Sequence, residues 1–140
     1  MKKVFIFDVD GTLTPSRQPM TKEFQSFFSI WSEMNIFYLV TGSDLSKLQE
    51  QMCYFDIEAE RIFTCCGNEM WKPDPQIPIT SAEQVYCKKF KPPKNLLKYL
   101  NEQLDIIDYP VKAGNHIEDR ETLLNFSVVG RNCSLVQRNI

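Results

Sequence analysis

Two carboxylates stand two residues apart near the start of the chain, in the segment Asp8-Val9-Asp10-Gly11-Thr12. The mostly apolar run of residues 4–9, which includes Asp8, predicts a strand buried on both faces. Gly11 permits a turn that would point both carboxylates into one pocket. One carboxylate can attack phosphorus to form an aspartyl-phosphate, while a second, protonated one donates to the leaving oxygen. Carboxylate oxygens also suit Mg²⁺. The pattern favours a phosphoryl-transfer site over an acidic turn without chemistry.

Alternating strands and helices are predicted to position these carboxylates. After the first strand, the apolar run 36–40 predicts a second strand, and the segment Arg61-Ile62-Phe63-Thr64 resembles a third. Between the strands, Thr21 and Asp44 are expected to cap two amphipathic helices. Such alternation implies right-handed crossovers onto a parallel sheet, so the turns after the first two strands should lie at its carboxyl edge. Ligands bind at that edge in open α/β sheets.

Composition narrows the classes of partner. The chain has 140 residues, is 43% hydrophobic and carries a net charge of −2, so it should fold around a core and has no general attraction for nucleic acid. No apolar stretch approaches a membrane span and no cleavage site follows the N-terminus, which predicts a cytoplasmic protein without a membrane partner. The 5 cysteines form no C-x-x-C pair and are expected to be reduced and mostly buried.

A second unit is predicted after a proline-rich connector at residues 72–78, which can be neither helix nor central strand. The unit contains one predicted helix and two short predicted strands, at residues 93–104, 116–120 and 124–129. The sequence therefore predicts a core over residues 1–79 and a smaller α+β unit over residues 80–140.

Three separated blocks resemble one enzyme family. The D-x-D-G-T motif is the signature of the haloacid-dehalogenase superfamily, and its flanking residues resemble the eukaryotic-type phosphomannomutases. The matching blocks are residues 7–18, 41–51 and 116–138. The resemblance implies an α/β fold, namely the first half of a Rossmann-like, parallel-sheet core of the haloacid-dehalogenase type, with a partial α+β substrate cap.

The same resemblance implies roles for residues of the core. Asp8 would be the nucleophile and a Mg²⁺ ligand, while Asp10 would be the general acid and base and would bind the metal through its backbone carbonyl. Ser43, or less readily Thr41, would hold the transferring phosphate. Arg17 would contact the sugar phosphate at the junction of core and cap.

In the cap, the resemblance implies that three arginines bind the distal phosphate: Arg120, Arg131 and Arg138. Their chemistry suits that role, because each guanidinium presents a planar fork of donors that matches phosphate. Taken one at a time, each could equally be an ordinary arginine of a solvated surface.

The implied reaction moves phosphate between O6 and O1 of mannose through a bisphosphate, a step of GDP-mannose biosynthesis. A sugar-phosphate phosphatase using the same Asp8 and Asp10 is one alternative, and a non-catalytic remnant that binds a phosphosugar or a partner is another. The family pattern continues past residue 140 with a lysine and an acidic pair, so weak activity or none is expected of this chain. Strand 4–9 should then be an apolar sheet edge, which favours a homo-oligomer or a complementing chain.

Overall fold

The computed structural model describes residues 3–52, 59–74, 76 and 82–138. The chain divides into two compact units, Met1–Lys88 and Lys89–Ile140. The sequence places this boundary nine residues earlier, between 79 and 80. In the structure the first unit continues to Lys88, because a strand at Glu83–Cys87 pairs with the sheet of that unit.

A five-stranded mixed sheet forms the first unit, in the spatial order β1-β2-β3-β4-β5. The strands are β1 (Val4–Asp8), β2 (Ile36–Val40), β3 (Arg61–Thr64), β4 (Glu69–Lys72) and β5 (Glu83–Cys87). The first three strands are parallel to one another, whereas β4 and β5 are antiparallel to their neighbours. Helices α1 (Lys22–Glu33) and α2 (Leu45–Gln51) connect the parallel strands. The predicted parallel part is thus confirmed, and β4 and β5 are additions that the sequence analysis missed.

Both helices of the first unit begin at the predicted N-caps. The Thr21 hydroxyl accepts the Phe24 N–H at 3.3 Å, and the Asp44 carboxylate accepts the Lys47 N–H at 2.9 Å. These bonds satisfy backbone donors that the first helical turn leaves without partners. Because Asp44 follows the end of β2 closely, its cap also fixes the direction of the loop at Thr41–Ser43.

Aromatic side chains join α1 to the first two strands. Phe28 lies 5.8 Å from Phe7 and 5.2 Å from Phe37 between ring centroids, both in edge-to-face geometry. Trp31 lies 5.3 Å from Phe7. Such pairs add to the stabilisation that burial of their apolar surface supplies. They hold the carboxyl-terminal end of β1, where the two carboxylates begin, against the core.

The prediction that residues 4–9 are buried on both faces is wrong for most of the strand. Val4 is 46% and Ile6 65% exposed, because they point away from the face on which Phe5 and Phe7 contact α1, and β1 is the terminal strand of the sheet in the described part of the chain. The expectation of an apolar edge at this strand is confirmed. Only Val9, just beyond the strand, is fully buried.

The expectation that the cysteines are mostly buried is also wrong within the described residues. Cys65 is buried, but Cys66 and Cys87 are exposed and Cys133 is half-buried, all as free thiols. Cys53 lies outside the described residues. Cys66 lies in a short 3-10 helix, Cys65–Gly67, and Cys87 in the terminal strand β5, where little protein covers the side chains.

The second unit contains a helix, a β-hairpin and a short final helix. These elements are α3 (Lys94–Ile106), β6 (Ile117–Asp119), β7 (Leu124–Phe126) and α4 (Leu135–Arg138). The predicted helix and the two predicted strands are confirmed, and α4 is an addition. Across the described residues of both units, the helices are too short or too polar to span a bilayer. The cytoplasmic location stays a prediction.

Candidate functional site

The two predicted motifs of the first unit meet at one edge of the sheet. Asp8, the last residue of β1, is paired in register with Val40, the last residue of β2. Neighbouring strands lie about 4.8 Å apart, so the turn after Asp8 and the loop at Thr41–Ser43 leave the sheet side by side. We call this the site edge.

A tight turn carries the chain away from β1 between the two carboxylates. The N–H groups of Leu13 and Thr14 both donate to the Val9 carbonyl at 3.0 Å, and the Gly11 N–H donates to the Thr14 carbonyl at 2.8 Å. Gly11 has a φ of +78°, which a side chain would strain. The turn therefore depends on glycine at this position, and it takes the chain out of the strand between Asp8 and Asp10.

Asp8 is exposed at the site edge. Its Oδ2 atom accepts a hydrogen bond from the Thr12 hydroxyl at 3.3 Å. Within the described residues, no hydrogen bond to the Oδ1 atom is recorded. One carboxylate oxygen is thus held in place while the other is accessible, which suits a nucleophile.

Asp10 is held more firmly than Asp8. Its Oδ1 atom accepts the Arg17 backbone N–H and the Gln51 side-chain amide, both at 2.7 Å. Gln51 is only 1% exposed. Its backbone carbonyl accepts the Met20 N–H at 2.7 Å, which connects the segment after the turn to α2. These bonds fix the orientation of the Asp10 carboxylate. The sequence analysis included Gln51 in the matching block 41–51 but gave it no role.

Arg17 contributes its backbone to the site edge. It adopts a φ of +59°, and this conformation directs its N–H at Asp10. Its predicted contact with the sugar phosphate is a property of the side chain and stays a prediction.

The loop after β2 favours Ser43 over Thr41 as a phosphate ligand. Thr41 is buried, and its hydroxyl oxygen accepts the Ser43 N–H at 3.1 Å. Backbone bonds from Cys65 and Cys66 hold the carbonyls of Ser43 and Thr41, at 2.9 and 3.1 Å. The Ser43 hydroxyl has no recorded hydrogen bond in the described part of the chain, so it can donate to a ligand.

Two oxygens at the site edge fit a magnesium ion. If Oδ1 is the nucleophile, the ligands are the other Asp8 oxygen, Oδ2, and the Asp10 backbone carbonyl, which are both hard oxygens. Oδ2 accepts a long bond of 3.3 Å from Thr12, and the Asp10 carbonyl has no recorded hydrogen bond among the described residues. Mg²⁺ binds proteins through few oxygens and keeps several waters, so this donor set is chemically sufficient for a weak site. The described residues contain no group of three or more histidine, cysteine, aspartate or glutamate side chains arranged around a metal position.

In the second unit, two of the predicted phosphate-binding arginines converge on one carboxylate. The Oε2 atom of Glu118 accepts hydrogen bonds from Arg120 Nη2 at 3.0 Å and Asn125 Nδ2 at 3.3 Å, and it forms an ion pair with Arg131 Nε at 3.2 Å. Arg138 Nη2 lies 3.5 Å from the carbonyl of Gly130, the residue before Arg131. We call Arg120, Arg131 and Arg138 the arginine cluster. The sequence analysis assigned no role to Glu118.

The β6–β7 hairpin accounts for the contacts of Arg120 and Asn125 with Glu118. Glu118 and Arg120 are two residues apart, so they lie on one face of the hairpin, and Asn125 is the register partner of Glu118. The Thr122 N–H donates to the Arg120 carbonyl at 2.7 Å and closes the turn. The local strand pattern alone therefore brings Arg120 and Asn125 to Glu118.

A glycine-dependent loop supplies Arg131. The Arg131 N–H donates to the Asn115 carbonyl at 2.8 Å. Gly130 has a φ of +82°, and a Cβ atom there would collide with the Ala113 backbone. Glycine at position 130 thus allows the close approach that carries Arg131 back to the hairpin.

The arginines control the charge of Glu118. Burial raises the pKa of its carboxyl group, but hydrogen bonds from Arg120 and Asn125 and the charges of Arg120 and Arg131 together lower the pKa below its ordinary value of 4.5. Glu118 is therefore anionic at neutral pH.

Comparison with known proteins identifies one family. The family described as eukaryotic phosphomannomutase matches residues 24–140. A phosphomannomutase of Spinacia oleracea is 34% identical over 139 residues, covering 97% of this chain and 54% of that protein. A phosphomannomutase of Encephalitozoon cuniculi is 34% identical over 143 residues, covering 98% and 53%. The chain spans about half the length of the curated relatives it matches.

Solved structures show the same fold at low sequence identity. An IMP-nucleotidase of Plasmodium falciparum superposes with a TM-score of 0.58 at 19% identity, covering 88% of this chain and 34% of that one. A haloacid dehalogenase-like hydrolase of B. subtilis superposes with a TM-score of 0.50 at 14% identity, covering 74% and 33%. The predicted α/β fold of the haloacid-dehalogenase type is confirmed.

Proposed function

Because the chain belongs to the eukaryotic phosphomannomutase family, we propose that it carries the nucleophile and the phosphate-binding arginines of a phosphotransferase that interconverts mannose 6-phosphate and mannose 1-phosphate. The observation that carries this proposal is the site edge itself. There an accessible Asp8 oxygen lies at the end of β1, and two hydrogen bonds of 2.7 Å orient Asp10 two residues away.

In the proposed reaction, Asp8 Oδ1 attacks the phosphorus of a sugar bisphosphate and forms an aspartyl-phosphate. The bond from phosphorus to the sugar oxygen breaks, and Asp10 donates a proton to that oxygen. The phosphoryl group then moves from Asp8 to the other sugar hydroxyl, whose proton Asp10 takes up. The Ser43 hydroxyl donates to the phosphoryl oxygens and Arg17 contacts the sugar phosphate. A magnesium ion held by Asp8 and the Asp10 carbonyl would neutralise phosphoryl charge.

The arginine cluster supports a mutase more than a phosphatase. A mutase must hold one phosphate of the sugar while the other reacts, and two guanidinium groups that already share one carboxylate oxygen can share a phosphate oxygen in the same way. A phosphatase acting on a single phosphate needs no such second anion site.

Titration calorimetry with mannose 6-phosphate tests the binding half of this proposal. Arg131→Ala should weaken binding by about 1.5–3 kcal/mol, which is the value of a hydrogen bond to a charged group and corresponds to roughly 10- to 150-fold. Lys98→Ala is the matched control, because Lys98 is an exposed cation of the same unit that forms an ion pair with Glu102 on α3. Equal affinities of the Arg131 and Lys98 variants would contradict the assignment.

A coupled assay on mannose 1-phosphate, with Mg²⁺ and a bisphosphate activator, separates the candidate reactions. Formation of mannose 6-phosphate supports the mutase. Release of inorganic phosphate without isomerisation supports the phosphatase instead. Loss of either activity in Asp8→Asn is required in both cases.

We further propose that another chain covers the exposed edge of the sheet. Val4 and Ile6 are exposed on β1, and α1 presents an exposed apolar stripe at Phe27, Ile30 and Met34, whose spacing of three and four places them on one face. Apolar strand edges recruit further strands. The family match and the polar substrate do not explain this surface, whereas self-association or a complementing polypeptide does.

Analytical ultracentrifugation of the 140-residue chain tests this association. The wild-type chain should form concentration-dependent dimers or larger species, and Ile6→Lys should shift it toward monomer. Ile106→Lys serves as the control, because Ile106 is an equally exposed apolar residue on α3 of the second unit. A wild-type chain that stays monomeric at all concentrations would contradict self-association.

A further inference from the structure

Two members of the arginine cluster, Arg120 and Arg131, already bind the carboxylate of Glu118. One oxygen of Glu118 receives Arg120, Arg131 and Asn125 at 3.0–3.3 Å. A phosphate oxygen would receive the same donors in the same way. The Arg120 side chain is only 16% exposed and that of Arg131 33%, so these contacts are better shielded than an ordinary surface ion pair.

Glu118 also holds the side chains of Arg120 and Arg131 close together. Two guanidinium groups repel each other, and each long side chain has many rotamers. Because both pair with the same carboxylate oxygen, their nitrogens are held 3.0 and 3.2 Å from one atom. A phosphate group arriving at the site meets donors that are already side by side, but it also meets the negative charge that holds them.

We propose that Glu118 is a placeholder anion and a positioning residue of the phosphate site: it keeps Arg120 and Arg131 together in the free protein and gives up at least one of these contacts when a phosphate group binds. The inference rests on the proposed function of the arginine cluster as a phosphate site. The carboxylate lowers the affinity for phosphate, which suits an enzyme that must release its bound sugar phosphate and accept it again by the other end.

The size of the effect follows from Coulomb's law. A carboxylate about 5 Å from a phosphate dianion, screened as in water, changes affinity by on the order of tenfold. Removing only the charge should therefore tighten phosphate binding. Removing the side chain entirely should also release the two arginines, and part of the gain should be lost.

Three variants of the full chain separate these effects, with inorganic phosphate and mannose 6-phosphate as probes in titration calorimetry. Glu118→Gln keeps the size and an acceptor oxygen, and it should bind both probes about 5- to 20-fold more tightly than wild type. Glu118→Ala should bind less tightly than Glu118→Gln. Glu102→Gln removes the same charge from an exposed pair on α3 and should change affinity less than twofold.

The salt dependence of phosphate affinity distinguishes an effect of the Glu118 charge from a purely structural effect of the side chain. In about 1 M NaCl the screening length falls to about 3 Å, so the advantage of Glu118→Gln over wild type should largely disappear. In addition, the Arg131 Nε–H signal in NMR spectra should be protected from exchange in wild type and exposed in Glu118→Ala.

The outcomes distinguish this inference from the proposed function. If Arg131→Ala weakens wild-type binding but Glu118→Gln binds phosphate no more tightly than wild type, the placeholder role is wrong and the phosphate site stands. If neither probe binds to wild type or to any variant, the arginine cluster is not a phosphate site. The proposed phosphate site and the placeholder role of Glu118 are then both wrong.

Discussion

Replacing Gln51 by methionine tests how the site edge is held together. Gln51 is buried at the end of α2, and its amide donates to Asp10 at 2.7 Å and lies 3.4 Å from the Thr14 hydroxyl. Methionine fills a similar volume without a donor. The variant therefore loses one hydrogen bond to a charged group, which contributes about 1.5–3 kcal/mol. With a urea dependence of about 1–3 kcal/mol/M, the unfolding midpoint should fall by on the order of 1 M.

Tryptophan fluorescence is a suitable assay for this change. The chain has 2 tryptophans, and both Trp31 and Trp71 lie in the first unit, so their emission follows the unfolding of that unit alone. Gln49→Met is the matched control, because Gln49 is buried on the same helix and has no recorded side-chain hydrogen bond in the described part of the chain. Equal midpoints for the Gln51 and Gln49 variants would refute the idea that the amide anchors Asp10.

Two further predictions concern the second unit. Gly130→Ala should lower the stability of that unit by about 1–3 kcal/mol in thermal unfolding and weaken phosphate binding, because the new Cβ meets the Ala113 backbone. Gly67→Ala in the first unit, with a similar φ of +84° but open space around its Cβ, should lower the stability of its own unit by less, and an equal loss would contradict the steric argument. The Glu118 contacts should depend on pH. Since the folded-state pKa of Glu118 lies below its ordinary 4.5, their stabilisation is complete above pH 4.5 and is lost as the pH falls through the lowered value. Below the lowered pKa, the Arg131 Nε–H should exchange as fast in wild type as in Glu118→Gln. A difference in exchange rate that stays constant at all pH values would contradict this prediction.

The parallel strands could be predicted from the sequence because β1 and β2 are largely apolar runs that polar turn residues end, and β3 has a bulky apolar pair at Ile62 and Phe63. The predicted bounds of β2 and β3 match the structure. By contrast, β5 is exposed along its whole length and mixes polar with apolar residues, so no apolar run marks it. Helix α4 has only 4 residues, too few to show a helical period.

Some residues of the candidate site could likewise be predicted from local sequence motifs, whereas others could be identified only from the fold. Asp8, Asp10 and Ser43 lie in short local motifs, and a motif is visible in the sequence. The Gln51–Asp10 bond joins residues 41 positions apart, and its partner could not be identified without the fold. Glu118 was visible as part of a matching block, but its role depends on where the loop at Gly130 places Arg131.

Phosphorylation of Asp8 tests the central claim most directly. The chain is incubated with acetyl phosphate and Mg²⁺, and the modified residue is identified by mass spectrometry after borohydride reduction of the acyl phosphate. Wild type should gain a single phosphoryl group on Asp8, and Asp8→Asn, which keeps the shape of the side chain without its nucleophilic oxygen, should gain none. Equal modification of the two proteins, or modification of wild type at another residue, would contradict the assignment of Asp8 as the nucleophile.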